Sequence, residues 1–373
     1  MEFRDLKQQY QLHKREIDTA VQSVIDTADF IGGSKVGQLE SRLAEYVGVR
    51  HCITCANGTD ALQLGLMAWD VGKGDAVFVP DFTFFSSGEV VPLVGAAPVF
   101  VDIDRDTYNI SPESLEEAVE YVMQCTDLRP RVVVAVDLFG QPAEFGKIRQ
   151  IAEKYGLLVL EDAAQGFGGR IGEKRACSFG DISTTSFFPA KPLGCYGDGG
   201  AVFTDDDGWA ELIRSYCVHG KGKDKYDNVR IGMNSRLDTL QAAVLLEKLR
   251  FFDGEIEKCN RVADEYTRRL GGCVRIPVVK EGMYSAWAQY TVCFQNSKER
   301  GRAAGFLKEA GIPTAVYYRK PMHLQEAFGG YQFTELACPV TEEICGCCLS
   351  LPMHAYMNED EIGYVSDRVR QVL

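Results

Sequence analysis

Residues 186–194 read Ser-Phe-Phe-Pro-Ala-Lys-Pro-Leu-Gly, which leaves one lysine, Lys191, in a loop of small residues after an apolar run. Residues 197–200, Gly-Asp-Gly-Gly, follow, and glycines allow a backbone to approach a ligand closely. Upstream, the apolar run Leu157–Leu160 predicts a buried strand that ends in Glu161 and Asp162. The chain thus combines an acid at the end of a strand with a lysine in a nearby loop.

This pair of groups suits one cofactor, pyridoxal 5′-phosphate (PLP). The lysine would hold the aldehyde of the cofactor covalently, and the acid would keep the pyridine nitrogen protonated so that the ring accepts electrons. Alternation along a strand places only one of the two neighbouring acids on the cofactor side. Lys191 is accordingly the predicted catalytic residue.

Four separated motifs carry a resemblance to a known family. Residues 57–62 read Asn-Gly-Thr-Asp-Ala-Leu, residues 161–165 read Glu-Asp-Ala-Ala-Gln, and residues 231–238 read Ile-Gly-Met-Asn-Ser-Arg-Leu-Asp. With the lysine loop, and in this order and spacing, they resemble the DegT/DnrJ/EryC1/StrS family of sugar aminotransferases over nearly the whole chain. The resemblance implies fold type I of the PLP-dependent transferases, and it selects Asp162 as the acid on the pyridine nitrogen.

The helix predicted to begin near Gly58 follows a strand at His51–Thr54, and free amides at a helix start bind phosphate. Taken alone, this segment would more often be an ordinary capped helix. The resemblance implies a phosphate site at Gly58 and Thr59, with Ser186 as a second phosphate ligand.

Two further cofactor contacts are implied by the resemblance. Gln165 should contact the phenolic oxygen side of the ring, and Phe84 should stack on the ring face. Phe84 comes shortly after a strand predicted at Ala76–Pro80, at the carboxyl edge of the sheet where α/β proteins bind ligands. Without the resemblance, a core phenylalanine would be the default interpretation.

The resemblance also implies a homodimer with shared active sites. In relatives, the asparagine matched by Asn234 reaches across the subunit boundary to the cofactor phosphate of the partner. Without the resemblance, Asn234 would be only a candidate helix cap.

Five positions are predicted to contact the substrate. The resemblance implies that Arg236 and Tyr318 face the substrate and that His323 lies near the entrance of its site. Phe30 and Tyr317 stand where relatives have tyrosine and histidine, and Ala190 replaces a serine. These three departures remove polar contacts to a sugar.

The pattern along the chain predicts an α/β fold with a mostly parallel, seven-stranded type of sheet flanked by helices, plus a smaller C-terminal α/β domain. The expected domains are 1–252 for the large PLP-binding domain, with its N-terminal helix, and 253–373 for the small one. The small domain is predicted to contain a strand at Ala288–Phe294, a helix at Lys298–Ala310 and a second strand near Pro313–Tyr318.

The composition limits the partners of the protein. The chain has 373 residues and a formal net charge of -13, which argues against nucleic acid or an anionic membrane as the main partner. It shows neither an apolar run of membrane-spanning length nor a signal peptide, so we expect a cytoplasmic enzyme. The 13 cysteines are expected to be reduced core thiols, and no metal site is predicted.

The predicted reaction is transamination of a nucleotide-linked ketosugar, with glutamate as amino donor, for surface polysaccharide or glycoconjugate synthesis. The resemblance is strongest to enzymes that aminate the 3-keto group of a UDP-linked 2-acetamido-hexuluronate. A 4-keto nucleotide sugar is an alternative substrate. A PLP lyase or decarboxylase acting on a free amino acid is another alternative, in which Arg319 would clamp the carboxylate. A nicotinamide oxidoreductase is disfavoured because no G-x-G-x-x-G follows the first strand.

Overall fold

A computed structural model describes residues 1–224, 226–331, 333 and 336–373. The described strands form one sheet of seven strands and two small sheets. In chain order, they are β1 (His51–Cys55), β2 (Asp75–Pro80), β3 (Ala97–Val101), β4 (Arg129–Val136), β5 (Leu158–Asp162), β6 (Arg170–Ile171), β7 (Lys174–Arg175), β8 (Ile182–Ser186), β9 (Gly200–Thr204), β10 (Met283–Tyr284), β11 (Tyr290–Cys293) and β12 (Cys348–Leu351).

The described α-helices precede, connect and follow these strands. They are α1 (Leu6–Leu12), α2 (Lys14–Thr27), α3 (Ser34–Val47), α4 (Gly58–Ala68), α5 (Ser86–Leu93), α6 (Pro112–Cys125), α7 (Phe145–Tyr155), α8 (Asp207–Tyr216), α9 (Thr239–Leu249), α10 (Phe252–Leu270), α11 (Ser297–Glu309), α12 (Pro339–Cys347) and α13 (Glu359–Val372). Two 3₁₀ turns add to them, at Leu138–Gly140 and Glu326–Phe328.

The large sheet has the strand order β1-β9-β8-β5-β4-β2-β3, and only β9 runs antiparallel to its neighbours. The prediction of a mostly parallel seven-stranded sheet is therefore confirmed. Helices cover both faces, which is why its strands are continuous apolar runs rather than alternating ones. In β4, for example, each residue from Val132 to Val136 is at most 3% exposed.

Several helix starts form where the sequence indicates a cap. The side chain of Ser111 accepts a hydrogen bond from the Ser114 amide at 3.1 Å and begins α6. The side chain of Asn57 accepts one from the Asp60 amide at 2.8 Å and begins α4. Such caps satisfy amides of the first turn that have no partner within the helix.

One prediction for the C-terminal region is wrong, and one strand there was not predicted. The strand expected near Pro313–Tyr318 is absent from the described residues except for a single bridge from Ala315 to Ser350, because this segment turns toward a cavity where Tyr317 lies. The partner of β11 is instead β12, whose Cys-Leu-Ser-Leu sequence directly follows α12 and gave no separate strand signal.

The predicted division at 252/253 coincides with the start of a long helix. Helix α10 spans Phe252–Leu270, with an apolar side that includes Ile256, Cys259 and Tyr266. Its first turn packs into the core of the large domain, and residues from Cys259 onward pack into a second core with β11, β12 and α13. The division at 252/253 stays a prediction.

The parallel strands bring their carboxyl ends to one edge of the sheet, where ligands of α/β proteins bind. Strands β5 and β8 end there in Asp162 and Ser186, and Asn57 and Thr83 follow the ends of β1 and β2. All four residues line one cavity. Among the described residues, no helix combines the length and the apolar character that crossing a membrane requires.

Candidate active site

A cavity of about 900 Å³ lies at the carboxyl edge of the sheet and extends to residues of the C-terminal region. Of the thirteen predicted site residues, nine line it: Gly58, Thr59, Phe84, Asp162, Gln165, Ser186, Lys191, Tyr317 and Tyr318. The remaining four, Phe30, Asn234, Arg236 and His323, do not. Three distant parts of the chain therefore converge on one space.

One end of the cavity is a cradle of backbone amides and hydroxyls. The amides of Gly58 and Thr59 belong to the first turn of α4, where backbone donors lack helical acceptors. The Thr59 hydroxyl lies 2.8 Å from that of Ser86, which begins α5. A Cβ atom at Gly58 would lie 2.7 Å from Cβ of Ser186, so only glycine fits between α4 and β8. The cradle suits an anion such as a phosphate.

Asp162 lies at the floor of the same cavity and is 5% exposed. Its Oδ2 accepts a hydrogen bond from the Ser87 hydroxyl at 2.8 Å, and its Oδ1 accepts one from the Ala164 amide at 3.1 Å. Burial raises the pKa of the Asp162 carboxyl, while the Ser87 bond and the charge of Lys191 oppose that rise. A cation entering the cavity beside Asp162 would therefore stabilise its charged form.

The neighbouring acid, Glu161, is on the opposite side of β5. Its carboxylate accepts hydrogen bonds from the amides of Cys177 (2.6 Å), Phe179 (2.8 Å) and Gly180 (3.2 Å). The Ser183 hydroxyl adds a fourth at 2.7 Å. Glu161 therefore holds the chain that follows β7 and faces away from Asp162, because side chains at consecutive strand positions point to opposite faces.

Lys191 lines the cavity within electrostatic reach of Asp162. Burial lowers the pKa of the Lys191 amine, Asp162 raises it, and the nearby charge of Arg4 lowers it further. The net direction is downward, which increases the neutral fraction of the amine. A neutral amine is the form that attacks a carbonyl carbon or accepts a proton.

The side wall of the cavity is oriented by Gln165. Its Oε1 accepts from the Phe139 amide at 2.9 Å, and its Nε2 donates to the Tyr318 hydroxyl at 3.0 Å. These bonds fix the amide group and join the large-domain wall to the C-terminal segment. Phe84, also in the lining, is 54% exposed, an unusual exposure for a phenylalanine that an aromatic ligand would cover.

Three predicted residues lie together outside the cavity of this chain. Nε of Arg236 donates to Oδ1 of Asn234 at 3.1 Å, and the carbonyl of Phe30 accepts from the Thr239 amide at 2.9 Å, close to that pair. Phe30 is 45% exposed, and Ile231 in the same motif is 90% exposed. The predicted roles of Phe30, Asn234 and Arg236 stay predictions, because within one chain these residues do not reach the cavity.

His323 is paired with the carboxylate of Asp81. Its backbone amide donates to Oδ1 of Asp81 at 2.8 Å, and its Nδ1 lies 2.7 Å from Oδ2 of the same carboxylate. This hydrogen-bonded carboxylate raises the pKa of His323. His323 itself does not line the cavity, whereas the nearby Met322 and Gln325 do, and its role near the entrance stays a prediction.

Among the described residues, one group of side chains, which includes His323, has ligand atoms that could hold a metal ion. Ligand atoms of Asp81, His323 and Cys338 lie within 4.8 Å of one another. No sequence spacing indicated this group, because its members come from three distant segments. The paired ring and carboxylate already satisfy each other and join β2 to the C-terminal region.

Sequence reasoning missed other residues of the site. Ser87 supports Asp162, and Gln289 and Lys320 line the cavity. Ser87 follows the Phe84 motif at a distance that marks the first turn of α5, a signal that could have identified it. Arg319, the predicted clamp for a free amino acid, is exposed and is not among the residues of the lining.

These features fit PLP. The amide and hydroxyl cradle accepts a phosphate, the buried Asp162 gains from a protonated ring nitrogen, and the exposed Phe84 offers a stacking face. Lys191 has an amine that would suit the aldehyde. Fold and site together define a PLP-dependent enzyme of fold type I.

The chain belongs to the DegT/DnrJ/EryC1/StrS aminotransferase family, whose model matches residues 11–370. It is a PLP-dependent aminotransferase. It is 45% identical to the UDP-2-acetamido-2-deoxy-3-oxo-D-glucuronate aminotransferase of Pseudomonas aeruginosa, over 98% of each chain.

Two other comparisons show how far the likeness extends. The dTDP-3-amino-3,4,6-trideoxy-alpha-D-glucose transaminase of Streptomyces venezuelae is 34% identical, over 99% of this chain and 95% of its own. A crystal structure of a DegT DnrJ EryC1 StrS aminotransferase from Brucella abortus superposes with a TM-score of 0.97 at 46% identity, covering 100% of this chain and 99% of that one.

Proposed function

We propose that this chain transfers an amino group from glutamate to the 3-keto position of a UDP-linked 2-acetamido-hexuluronate, in the cytoplasm, for surface polysaccharide or glycoconjugate synthesis. The observation that carries the proposal is the 45% identity, over 98% of the chain, to an aminotransferase named for a UDP-linked 3-oxo-glucuronate. The cavity supports it with room for a cofactor and a sugar together.

In this proposal the role of each residue follows from its position in the cavity. Bound PLP supplies an aldehyde for amine exchange and an electron-accepting ring. The first turn of α4, with Thr59 and Ser186, binds its phosphate. Asp162 holds a proton on the ring nitrogen, and Gln165 lies on the side wall through its bonds to Phe139 and Tyr318.

Lys191 has two roles in the proposal. Its amine binds the cofactor in the resting enzyme and, once displaced, moves a proton to and from the reacting substrate carbon. The lowered pKa of this amine keeps part of it neutral and able to accept that proton. Acid conditions that protonate the amine therefore slow the reaction, and activity rises with pH on the acid side.

The sugar is assigned to the outer part of the cavity. That space is lined by Tyr317, Ala190 and Lys320. Lys320 is a second lysine in the lining, besides Lys191. A UDP-linked uronate carries negative charge on both its diphosphate and its carboxylate, which a cation near the entrance favours. Tyr317 and Ala190 replace the histidine and serine of the relatives that the sequence resembles, and a 4-keto sugar stays the second candidate.

We further propose that the active enzyme is a homodimer with shared sites. The observation that favours it is that Phe30, Ile231, Asn234 and Arg236, here taken as the proposed contact patch, are all exposed, and its apolar members would be costly to leave in water. A second copy that covers the patch would bring Asn234 and Arg236 to the cavity of its neighbour. Size-exclusion chromatography with light scattering tests this, and an active monomer would contradict it.

The deciding experiment is a substrate panel. Purified protein with PLP and glutamate is incubated with UDP-linked 3-keto and 4-keto sugars, each with and without a carboxylate at C6, and products are identified by mass spectrometry. We expect amination of the 3-keto uronate first. Preferred amination of a 4-keto sugar would support the second candidate, and release of product from a free amino acid alone would support a lyase.

A further inference from the structure

The loop that carries Lys191 is held from below by two side chains outside it, here called the loop clamp: Arg4 and Lys248. Nη2 of Arg4 donates to the backbone carbonyl of Lys191 at 3.0 Å and lies 3.5 Å from that of Pro192. Nζ of Lys248 donates to the carbonyl of Gly194 at 2.7 Å. The clamp thus fixes the catalytic residue of the proposed reaction by its own backbone.

These carbonyls depend on the clamp. Among the described residues, no backbone amide donates to the carbonyls of Lys191, Pro192 or Gly194. The loop is otherwise closed by short bonds at its ends, from the Lys191 amide to Phe188 and from the Cys195 amide to Phe187, both at 2.8 Å. Buried carbonyls without a donor are costly, so removing the clamp would free the middle of the loop to move.

The clamp uses charge where neutral donors would have satisfied the same carbonyls. Lys248 is 2% exposed, and burial lowers the pKa of its amine to about 8. Burying cations is unfavourable unless an acid compensates them, and Glu255 provides that compensation. Glu255 is itself held by Nε2 of Gln9 at 2.8 Å and by the Tyr356 hydroxyl.

Arg4 also connects the loop to the C-terminal wall of the cavity. The carbonyl of Phe3, the preceding residue, accepts a hydrogen bond from the Met353 amide at 3.1 Å. The ring of Phe3 contacts that of Tyr317 edge-on, with 6.3 Å between centroids. Residues 3 and 4 therefore touch both the lysine loop and a wall residue of the cavity.

We propose that Arg4 is a positioning residue for Lys191: together with Lys248 it holds the lysine loop in place, and it presents a permanent positive charge to the site. The proposal rests on the proposed role of Lys191. The charged or titratable groups around Arg4 and Lys191 come from several elements. They are Asp162 from β5, Lys248 from α9, Glu255 and Cys259 from α10, and His354 after β12.

The test measures the Lys191 amine itself, without cofactor. Cofactor-free protein receives a pulse of acetic anhydride at a series of pH values, and acetylation of Lys191 is read by peptide mass spectrometry. Arg4→Gln keeps a hydrogen-bond donor but removes the charge, and we expect the pH of half-maximal reactivity to move upward by about half a unit or more. Arg4→Lys restores the charge and should return the midpoint toward the wild-type value.

The matched control is Arg15→Gln, an exposed arginine on α2, which should leave the midpoint unchanged. Exposed Lys7 in the same digest serves as an internal reference. An unchanged Lys191 midpoint in Arg4→Gln, even with lowered thermal stability, would reduce Arg4 to a purely structural role and overturn the proposal. Should Arg4→Gln not fold, Arg4→Lys and Arg4→Met at low temperature allow the same comparison.

A second arm separates this proposal from the proposed function. Wild-type protein is incubated with PLP and borohydride, and the mass gain is located on the chain. If Lys191 of the wild type gains no mass, the proposed function fails. If it does, and the acetylation midpoints of wild type and Arg4→Gln coincide, only the role of Arg4 fails.

Discussion

Glu161 and Asp162 are adjacent acids in one strand, and both are buried, yet their surroundings differ completely. Glu161 accepts four hydrogen bonds from a neighbouring segment and borders no part of the cavity. Asp162 accepts two and faces the cavity with the rest of its carboxylate. The difference teaches that a buried acid is a functional candidate when the fold leaves its charge incompletely compensated.

The prediction with the largest expected effect on turnover removes the Lys191 amine, which lies in the cavity with Asp162. Lys191→Ala should lower turnover by about 10⁴-fold or more, because both covalent binding and proton transfer depend on that amine. Intact-mass analysis after treatment with PLP and borohydride should show no specific adduct. Lys320→Ala, a second lysine of the same cavity, should still gain the mass. Substantial turnover by Lys191→Ala would place the chemistry elsewhere.

The next test addresses Asp162 directly. Asp162→Ala should reduce kcat by about 10²–10³-fold, since one preorganised charge on the reacting system is lost. Thermal stability should change little, because burial already disfavours the Asp162 carboxylate and only Ser87 and Ala164 donate to it. Steady-state kinetics and thermal unfolding of the same preparation check both statements. A normal kcat would remove Asp162 from the proposed mechanism.

For Glu161 we expect the opposite pattern, a loss of stability with little change in turnover. Glu161→Gln places an amide NH₂ against donors that now bind a carboxylate, so it should destabilise the fold by about 1–3 kcal/mol. Turnover per folded molecule should stay near the wild-type value. Denaturant unfolding, with activity normalised to folded protein, measures the two effects. A large fall in kcat without loss of stability would show that the two faces of β5 are not functionally distinct.

Much of this contrast was predictable from the sequence, because it depends on local pattern. Strand alternation alone predicted that only one of the two acids faces the site, and the family motif selected Asp162. The apolar runs predicted the large sheet because strands buried on both faces need continuous apolar residues. The same reasoning failed for β12, whose short run merges with α12.

The less predictable features are those that join distant segments. The pairing of Asp81 with His323 has no local signature in the sequence, because the two residues are 242 positions apart. Arg4 reaches the lysine loop across 187 positions of sequence. Phe30, Asn234 and Arg236 stay predictions for a different reason, since their proposed target belongs to a second copy of the chain.

The smallest test concerns a third acid, Asp137, which lies beside Glu161 and is fully buried. Burial, followed by the charge of Glu161, raises the pKa of the Asp137 carboxyl well above its usual range. Its Oδ1 accepts from the Ala143 amide at 3.0 Å, whereas its Oδ2 receives no hydrogen bond from the described residues. A proton on Oδ2, donated to Glu161, satisfies both groups.

Asp137→Asn imitates that protonated state permanently. In the wild type, the folded chain keeps a proton that the unfolded chain releases above a pH of about 4, so stability falls as pH rises toward the raised pKa. The variant lacks this loss, so between pH 5 and pH 8 it should gain stability relative to wild type by up to about 1.4 kcal/mol per pH unit, with kcat unchanged. Unfolding midpoints at the two pH values measure it, with exposed Asp367→Asn as control. Equal pH slopes in wild type and Asp137→Asn would mean that the folded pair of Asp137 and Glu161 keeps no extra proton, which would contradict a protonated Asp137.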